Sequence, residues 1–174
     1  MLRALSGLSG FICTRIEANH DMDVTDATVF LRIYVLITFS TKLQKPTIDR
    51  FIEGGLHECL AAICRDVDCP PVRVGGHRDH VHVLCRFSGR ITADKLVLEL
   101  KKRSANWIKA KGGIYDWFYW QDGYLFTTVS APEVKDLADY IDNQKQYHEN
   151  MSFTEECIGM ISEYGTAPDE SELQ

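Results

Sequence analysis

The sequence lacks both a long hydrophobic run and an organised cysteine pattern. Its longest apolar stretch falls far short of the roughly 20 residues that a transmembrane helix needs. The six cysteines have neither a CxxC zinc spacing nor a disulfide-framework spacing, so we expect reduced thiols in a cytoplasmic protein. The glycine-rich P-loop pattern of nucleotide-binding enzymes is missing as well. These absences argue against a membrane protein, a disulfide scaffold and a P-loop enzyme.

The composition is that of one globular domain. The chain has 174 residues, of which 45% are hydrophobic and 25% charged, and this excludes wholesale disorder and collagen-like repeats. Residues 149–174 contain seven acidic side chains and no Lys or Arg. Without these seven negative charges, the net charge of −6 becomes +1 for the rest of the chain. A cationic run at 101–111 permits a nucleic-acid partner, although such a run is usually a solvated helix face.

Hydrophobic periodicity predicts alternating strands and helices. The order strand, helix, strand, strand, helix, strand, helix favours an α+β fold, with a ferredoxin-like or RRM-like β-α-β-β-α-β core and a central antiparallel sheet. A C-terminal helix follows that core. The predicted strands cover 29–40, 72–75, 81–87, 116–120 and 124–129, and the predicted helices begin near 48, 92, 132 and 153.

The chain divides into three parts. Residues 1–28 are predicted to be a loose N-terminal extension, 29–150 the domain, and 151–174 an acidic tail with one short helix. Met22 is an alternative start, so we expect residues 1–21 to be dispensable for folding.

The segment DHVHVL at 79–84 contains a candidate metal site. Side chains alternate along a strand, so His80 and His82 project to the same side, about 6–7 Å apart, while Val81 and Val83 point the other way. Two imidazoles on one rigid face can hold a single metal ion. The alternative is a pair of ordinary half-exposed histidines.

The predicted third helix contains a second candidate. Tyr140 and Gln144 stand four residues apart and therefore share a helix face. Tyrosine is a poor nucleophile at its usual pKa of about 10, but a cation that activates the electrophile makes its attack feasible. The Gln144 carbonyl oxygen can serve as a third ligand. The alternatives are a tyrosine with a packing role and, as nucleophile, the nearby Tyr147.

Five segments in order resemble the single-tyrosine HUH transposases of the insertion-sequence 200/605 class. This resemblance extends from about residue 34 to 164. The segments are FSTK at 39–42, GG at 75–76 followed by DHVHVL at 79–84, KKRSANWIK at 101–109, WQDGY at 120–124 leading to VS at 129–130, and YIDNQ at 140–144.

The resemblance implies roles for individual residues. His80, His82 and Gln144 match the metal ligands, and Tyr140 matches the catalytic tyrosine. The implied reaction is DNA transposition by cleavage and rejoining of single-stranded DNA through a 5′-phosphotyrosine intermediate. Ligand preference alone favours zinc or manganese, since imidazole is an unusual ligand of magnesium. The resemblance implies Mg²⁺, with Mn²⁺ able to substitute.

The resemblance also implies partners. These are single-stranded DNA with hairpin ends and a second copy of the chain, in a homodimer whose active sites are shared between subunits. The candidates for contact with DNA phosphates are Lys42, Lys101, Lys102 and Arg103.

Two other functions are open at this stage. One is a domesticated relative that binds hairpin DNA without mobilising an element. The other is an HUH nickase that initiates replication or plasmid transfer, although such proteins are commonly larger.

Overall fold

The computed structural model describes residues 32–164, so the predictions for 1–28 and for the end of the acidic tail lie outside the described residues. Four strands and five α-helices follow one another in that range. They are β1 (Ile33–Ser40), α1 (Glu53–Asp66), β2 (Pro71–Gly76), β3 (His80–Phe87), α2 (Ala93–Lys109), β4 (Leu125–Val129), α3 (Val134–Asp142), α4 (Gln144–Tyr147) and α5 (Phe153–Tyr164).

The four strands form one antiparallel sheet in the order β2-β3-β1-β4. Helix α1 connects β1 to β2 and helix α2 connects β3 to β4, which confirms the predicted β-α-β-β-α-β core. In the central pair of strands, Ser40 lies opposite His80 and Thr38 lies opposite His82. This register brings the polar ends of β1 and β3 together.

The sheet buries both of its faces. Alternate residues of β1 and β3 pack under α1 and α2, in a core that includes Leu60 and Leu100. The opposite face carries a smaller apolar cluster with Leu36 and Leu84, covered by Ile141 of α3 and by residues of α5. Both histidines of β3 belong to this second face.

Two of the predicted elements are wrong. Helix α1 begins at Glu53 instead of near Ile48, because the Asp49 side chain accepts the backbone N–H of Phe51 at 2.8 Å and holds a turn there. Residues 116–120 form no strand, since only Trp120 makes an isolated bridge to the first strand's end. The Trp120 indole donates to buried Ser104 at 3.0 Å instead.

The third predicted helix, which begins near 132, is interrupted. It divides at Asn143 into α3 and α4, so Tyr140 lies in the last turn of one helix and Gln144 begins the next. None of the helices described between residues 32 and 164 is long and apolar enough to cross a membrane.

Candidate active site

Strand β3 places His80 and His82 side by side. Both are completely buried, which excludes the alternative of half-exposed histidines, and their ring centroids lie 4.9 Å apart. Val81 and Val83 point into the opposite core, as the alternation of a strand requires. The two imidazoles therefore face the same interior space under α3, α4 and α5.

Hydrogen bonds from the neighbouring residues orient both rings. The Asp79 carboxylate lies 2.7 Å from Nδ1 of His80, and Thr38 Oγ1 lies 2.8 Å from Nδ1 of His82. A carboxylate only accepts, so Nδ1 of His80 donates to it. This arrangement directs the Nε2 atoms inward, and it is the usual environment of a histidine that binds a metal.

The interruption at Asn143 brings Gln144 and Tyr140 to the histidines. Gln144 is buried, and its Oε1 lies 3.0 Å from Nε2 of His80. The Tyr140 ring lies 6.2 Å from the His82 ring, centroid to centroid. The structure thus brings together the four residues that the sequence singled out.

A fifth residue, Glu156 of α5, lies at the centre of this cluster. Its Oε1 is 3.0 Å from Nε2 of His82, and its Oε2 is 3.3 Å from Nε2 of His80. Oε1 also accepts hydrogen bonds from the Tyr140 hydroxyl and from the Gln144 amide. Glu156 is only 3% exposed, so α5 closes the cluster from this side.

The sequence analysis missed Glu156 because it counted this residue with the acidic tail. One signal could have found it. Phe153, Glu156 and Met160 follow one another at spacings of three and four, so the acid lies within the apolar stripe of a helix. An acidic side chain in such a stripe is directed into the protein and needs a partner there.

His148 is a second residue that the sequence analysis missed. Its Nδ1 donates to the Met151 carbonyl at 2.7 Å, because a carbonyl oxygen only accepts. Its Nε2 lies 3.0 Å from Gln144 Oε1 and 3.2 Å from Glu156 Oε2. His148 therefore extends the cluster on the α4 side.

Burial and mutual contact shift the pKa values in the cluster. Burial lowers the pKa of His82, and burial together with the bond to Glu156 raises the pKa of Tyr140. Burial would raise the pKa of Glu156, but its contacts with the two strand histidines and with Tyr140 outweigh burial and hold that pKa well below its usual value. The cluster therefore combines an ionised carboxylate with a protonated phenol.

The residues of the cluster fit a divalent metal ion. One ligand atom from each of His80, His82 and Glu156 lies within 4.8 Å of the others. Nε2 of His82 is buried without an aligned hydrogen bond, although a Glu156 oxygen lies only 3.0 Å away. A buried nitrogen without an aligned hydrogen bond, facing a carboxylate, is the environment that a bound cation would satisfy.

A cleft of about 400 Å³ between α3 and α5 leads to Tyr140 and Glu156. Its wall carries three further carboxylates, Glu133, Asp136 and Glu155. Negative charge along a cleft raises the local concentration of cations, so this opening suits the entry of a metal ion.

The four lysine and arginine candidates occupy different environments. The Lys101 ammonium donates to the carbonyls of Gln121, Asp122 and Gly123 at 2.7, 2.8 and 2.9 Å, and burial lowers its pKa to about 8. Arg103 pairs with Asp66 of α1. Lys42 and Lys102 are exposed. Lys101 thus anchors the 121–123 loop.

The comparisons with known proteins agree with this geometry. A family model described as "Transposase IS200 like" matches residues 29–144. A protein of Deinococcus radiodurans described as a transposase has 22% identity and a TM-score of 0.55, over 71% of this chain and 98% of its own. A REP-associated tyrosine transposase bound to a REP hairpin has 15% identity and a TM-score of 0.52, over 73% of this chain and 74% of its own.

At such identities the two structures establish the shared fold alone. No curated protein matches the chain. The family model, however, covers well over half of the sequence and includes both strand histidines, Tyr140 and Gln144. The chain therefore belongs to the IS200-like transposase family.

Proposed function

We propose that this transposase cleaves and rejoins single-stranded DNA through a covalent bond to Tyr140. One observation carries the proposal: the Tyr140 hydroxyl lies in the same buried cluster as the inward-facing nitrogens of His80 and His82. A tyrosine that only packs would not need a pair of oriented imidazoles beside it. A nucleophile that attacks a phosphate needs a cation close by.

The metal would be held by Nε2 of His80, Nε2 of His82 and Oε1 of Gln144. When bound, Mg²⁺ or Mn²⁺ supplies the positive charge that polarises the scissile phosphate and stabilises the departing oxygen. Asp79 and Thr38 keep the two rings in position from behind.

The chemical step is a transesterification. The Tyr140 oxygen forms a bond to phosphorus while the bond from phosphorus to the 3′ oxygen breaks. The phenol proton leaves towards Oε1 of Glu156, to which the hydroxyl already donates, and the departing 3′ oxygen takes up a proton. Attack by a different 3′-OH reverses the step and joins new ends, so one phosphodiester replaces another without ATP.

The proposed substrate is single-stranded DNA with hairpin ends. One structure of the same fold is a transposase bound to a REP hairpin. Beside the cluster, a cleft of about 340 Å³ is lined by Arg50, Arg78, His77 and Lys145, the last paired with Glu53 of the same cleft at 2.9 Å, so Arg50 and Arg78 supply its net positive charge. The His77 ring lies 6.3 Å from the His80 ring, so phosphates in this cleft would pass close to the metal site.

We further propose a homodimer that shares its active sites. The described chain places Tyr140 beside its own His82, and exchange of the α3 helices between two copies would build the same cluster from two chains. Mixing a Tyr140→Phe chain with a His82→Ala chain tests this arrangement. Shared sites should restore nicking in the mixed dimer, whereas sites within one chain should leave each variant inactive.

A trapping experiment tests the nucleophile. Incubation with labelled single-stranded DNA that carries a cleavage site should produce a protein–DNA adduct. Tyr140→Phe removes one oxygen and keeps the ring, so the fold should survive while the adduct disappears.

Tyr147→Phe is the matched control. The Tyr147 ring packs 4.6 Å from the Tyr140 ring, but its side chain is 46% exposed. This variant should form the adduct normally. An adduct that persists in Tyr140→Phe and disappears in Tyr147→Phe would reassign the nucleophile.

A further inference from the structure

We infer that Glu156 is a direct ligand of the catalytic metal, so that α5 adds a carboxylate to the site of His80, His82 and Gln144. The inference rests on the proposed metal-dependent function and adds a residue to it. Glu156 lies beyond residues 29–144, which the family model matches. The ligand would therefore come from a part of the chain outside the recognised motifs.

The first argument is the spacing of the ligand atoms. Nε2 of His82 lies 3.0 Å from one Glu156 oxygen, and Nε2 of His80 lies 3.3 Å from the other. Ligands about 2.1 Å from one ion are separated by about 3.0–3.4 Å in octahedral or tetrahedral geometry. Both separations fall in this range, and a single ion would account for both if the two carboxylate oxygens bind it together.

The second argument is the hydrogen-bonding capacity of the rings. Nδ1 of His80 donates to Asp79, so in the neutral ring Nε2 presents a lone pair to the Glu156 carboxylate. Two lone pairs at this distance repel each other unless a proton or a cation lies between them. At His82 the nitrogen and the carboxylate oxygen are close but not aligned for a hydrogen bond, which favours the cation.

The buried Glu156 carboxylate also needs a compensating charge. Within residues 32–164, the ion-pair partners of Glu156 are His80, His82 and His148, with no Lys or Arg among them. A buried carboxylate needs a compensating positive charge. Carboxylate oxygen is also a preferred ligand of magnesium and manganese, whereas imidazole is not. Glu156 therefore explains how a site built on two histidines can hold a hard cation.

Contacts along α5 hold Glu156 in place. The Phe153 ring stacks on the His80 ring with centroids 4.4 Å apart, and Thr154 exchanges hydrogen bonds of 3.3 and 3.4 Å with Gln44. Glu155 accepts the backbone N–H of Ser152 at 2.8 Å and caps the helix start. The carboxylate is thus presented from a positioned helix.

Direct measurement of Mn²⁺ binding to the full chain tests the inference. The electron paramagnetic resonance signal of free Mn²⁺ gives the dissociation constant without any DNA present. Glu156→Gln keeps the shape and the bond from Tyr140 but removes the ionised oxygen. We expect it to weaken Mn²⁺ binding by at least about 10-fold, the lower end of what even outer-shell changes cost. Glu149→Gln, which removes an exposed charge nearby, should bind Mn²⁺ as the unaltered chain does.

His82→Ala separates the two proposals. If His82→Ala abolishes binding while Glu156→Gln binds normally, the metal site stands and the role of Glu156 is overturned. If His82→Ala also binds normally, the proposed metal site itself is wrong. Should Glu156→Gln fail to fold, Glu156→Asp keeps the charge and shortens the reach, and normal Mn²⁺ binding by that variant would equally overturn the inference.

Discussion

The two faces of the sheet are buried equally well, but they differ in the polarity of their contacts. On the α1/α2 face, Phe39 and Val83 are as inaccessible as His80 and His82 are on the opposite face. The first face contacts mainly apolar side chains. The second becomes polar where β1 ends and β3 begins, and each polar atom there requires a specific partner.

The difference separates stability from chemistry. Apolar packing is stabilising without directional partners, so the α1/α2 face can form the core by itself. Buried imidazole and carboxylate groups are costly unless they are paired, so the other face depends on Asp79, Thr38, Gln144 and Glu156. One face of the same strands therefore supports the fold while the other is available for a reaction.

Removal of both strand histidines should have the largest effect on the reaction and little effect on the fold. In the His80→Ala/His82→Ala variant, nicking of single-stranded DNA should fall by about 10³-fold or more, because several kcal/mol of charge stabilisation are lost. The sheet and the α1/α2 core should persist, since backbone pairing of β1 with β3 does not need the imidazoles and none of them belongs to that core. Cleavage rates measured with Mg²⁺ beside far-ultraviolet circular dichroism check both expectations. Full cleavage by the double variant would contradict the metal assignment.

The sequence was sufficient for the fold because the fold depends on periodicity. The run of β-branched and aromatic residues in β1, the alternation at the start of β3 and the helical spacing in α2 are properties of each segment alone, and the confirmed topology follows from their order. Helix α1 was misplaced because a single side chain, Asp49, stabilises a turn where the apolar pattern predicted helix. Local hydrogen bonds of this kind leave no periodic signal.

The site was predictable only in part, for a related reason. His80 and His82 are close in sequence, and so are Tyr140 and Gln144, so each pair has a recognisable spacing. Glu156 reaches the same cluster through the packing of α5, and only the assembled structure brings it to the histidines of β3. Because other residues close to it in sequence are also acidic, Glu156 was counted with the acidic tail and was not recognised as a site residue.

Alanine substitutions at two glycines, one near each face of the sheet, should have effects of intermediate size. A Cβ on Gly75 of β2 would lie 2.6 Å from Ile141 Cγ2 and 2.8 Å from its carbonyl oxygen, so Gly75→Ala must displace α3 and with it Tyr140. Nicking should fall by about 10²-fold, as expected when a reacting group moves by about 1 Å. The unfolding free energy should also fall, by about 1–3 kcal/mol.

Gly55→Ala is the matched change on the other face. Its Cβ would lie 2.7 Å from the tip of the Trp107 ring, between α1 and α2. Crowding there does not move the cluster, and the higher helix propensity of alanine inside α1 offsets part of its cost, so the nicking rate should stay unchanged while the melting temperature changes little. An equal loss of nicking in both alanine variants would mean that the two faces are coupled.

The smallest effects are expected on α2. There we expect Lys101 to hold a loop in place and the adjacent Lys102 to contact DNA. Lys101→Met removes three hydrogen bonds to loop carbonyls and should lower the unfolding free energy by about 2 kcal/mol, while leaving DNA binding with the same salt dependence.

Lys102→Met removes an exposed charge, so stability should change by less than about 0.5 kcal/mol. If Lys102 contacts a phosphate, as proposed, the slope of log affinity against log salt should become shallower by about 1. Denaturant titrations and DNA-binding isotherms at several salt concentrations measure both quantities. An unchanged slope for Lys102→Met would remove Lys102 from the DNA contacts and leave the cleft that contains Arg50, Arg78 and Lys145 as the candidate surface for phosphates.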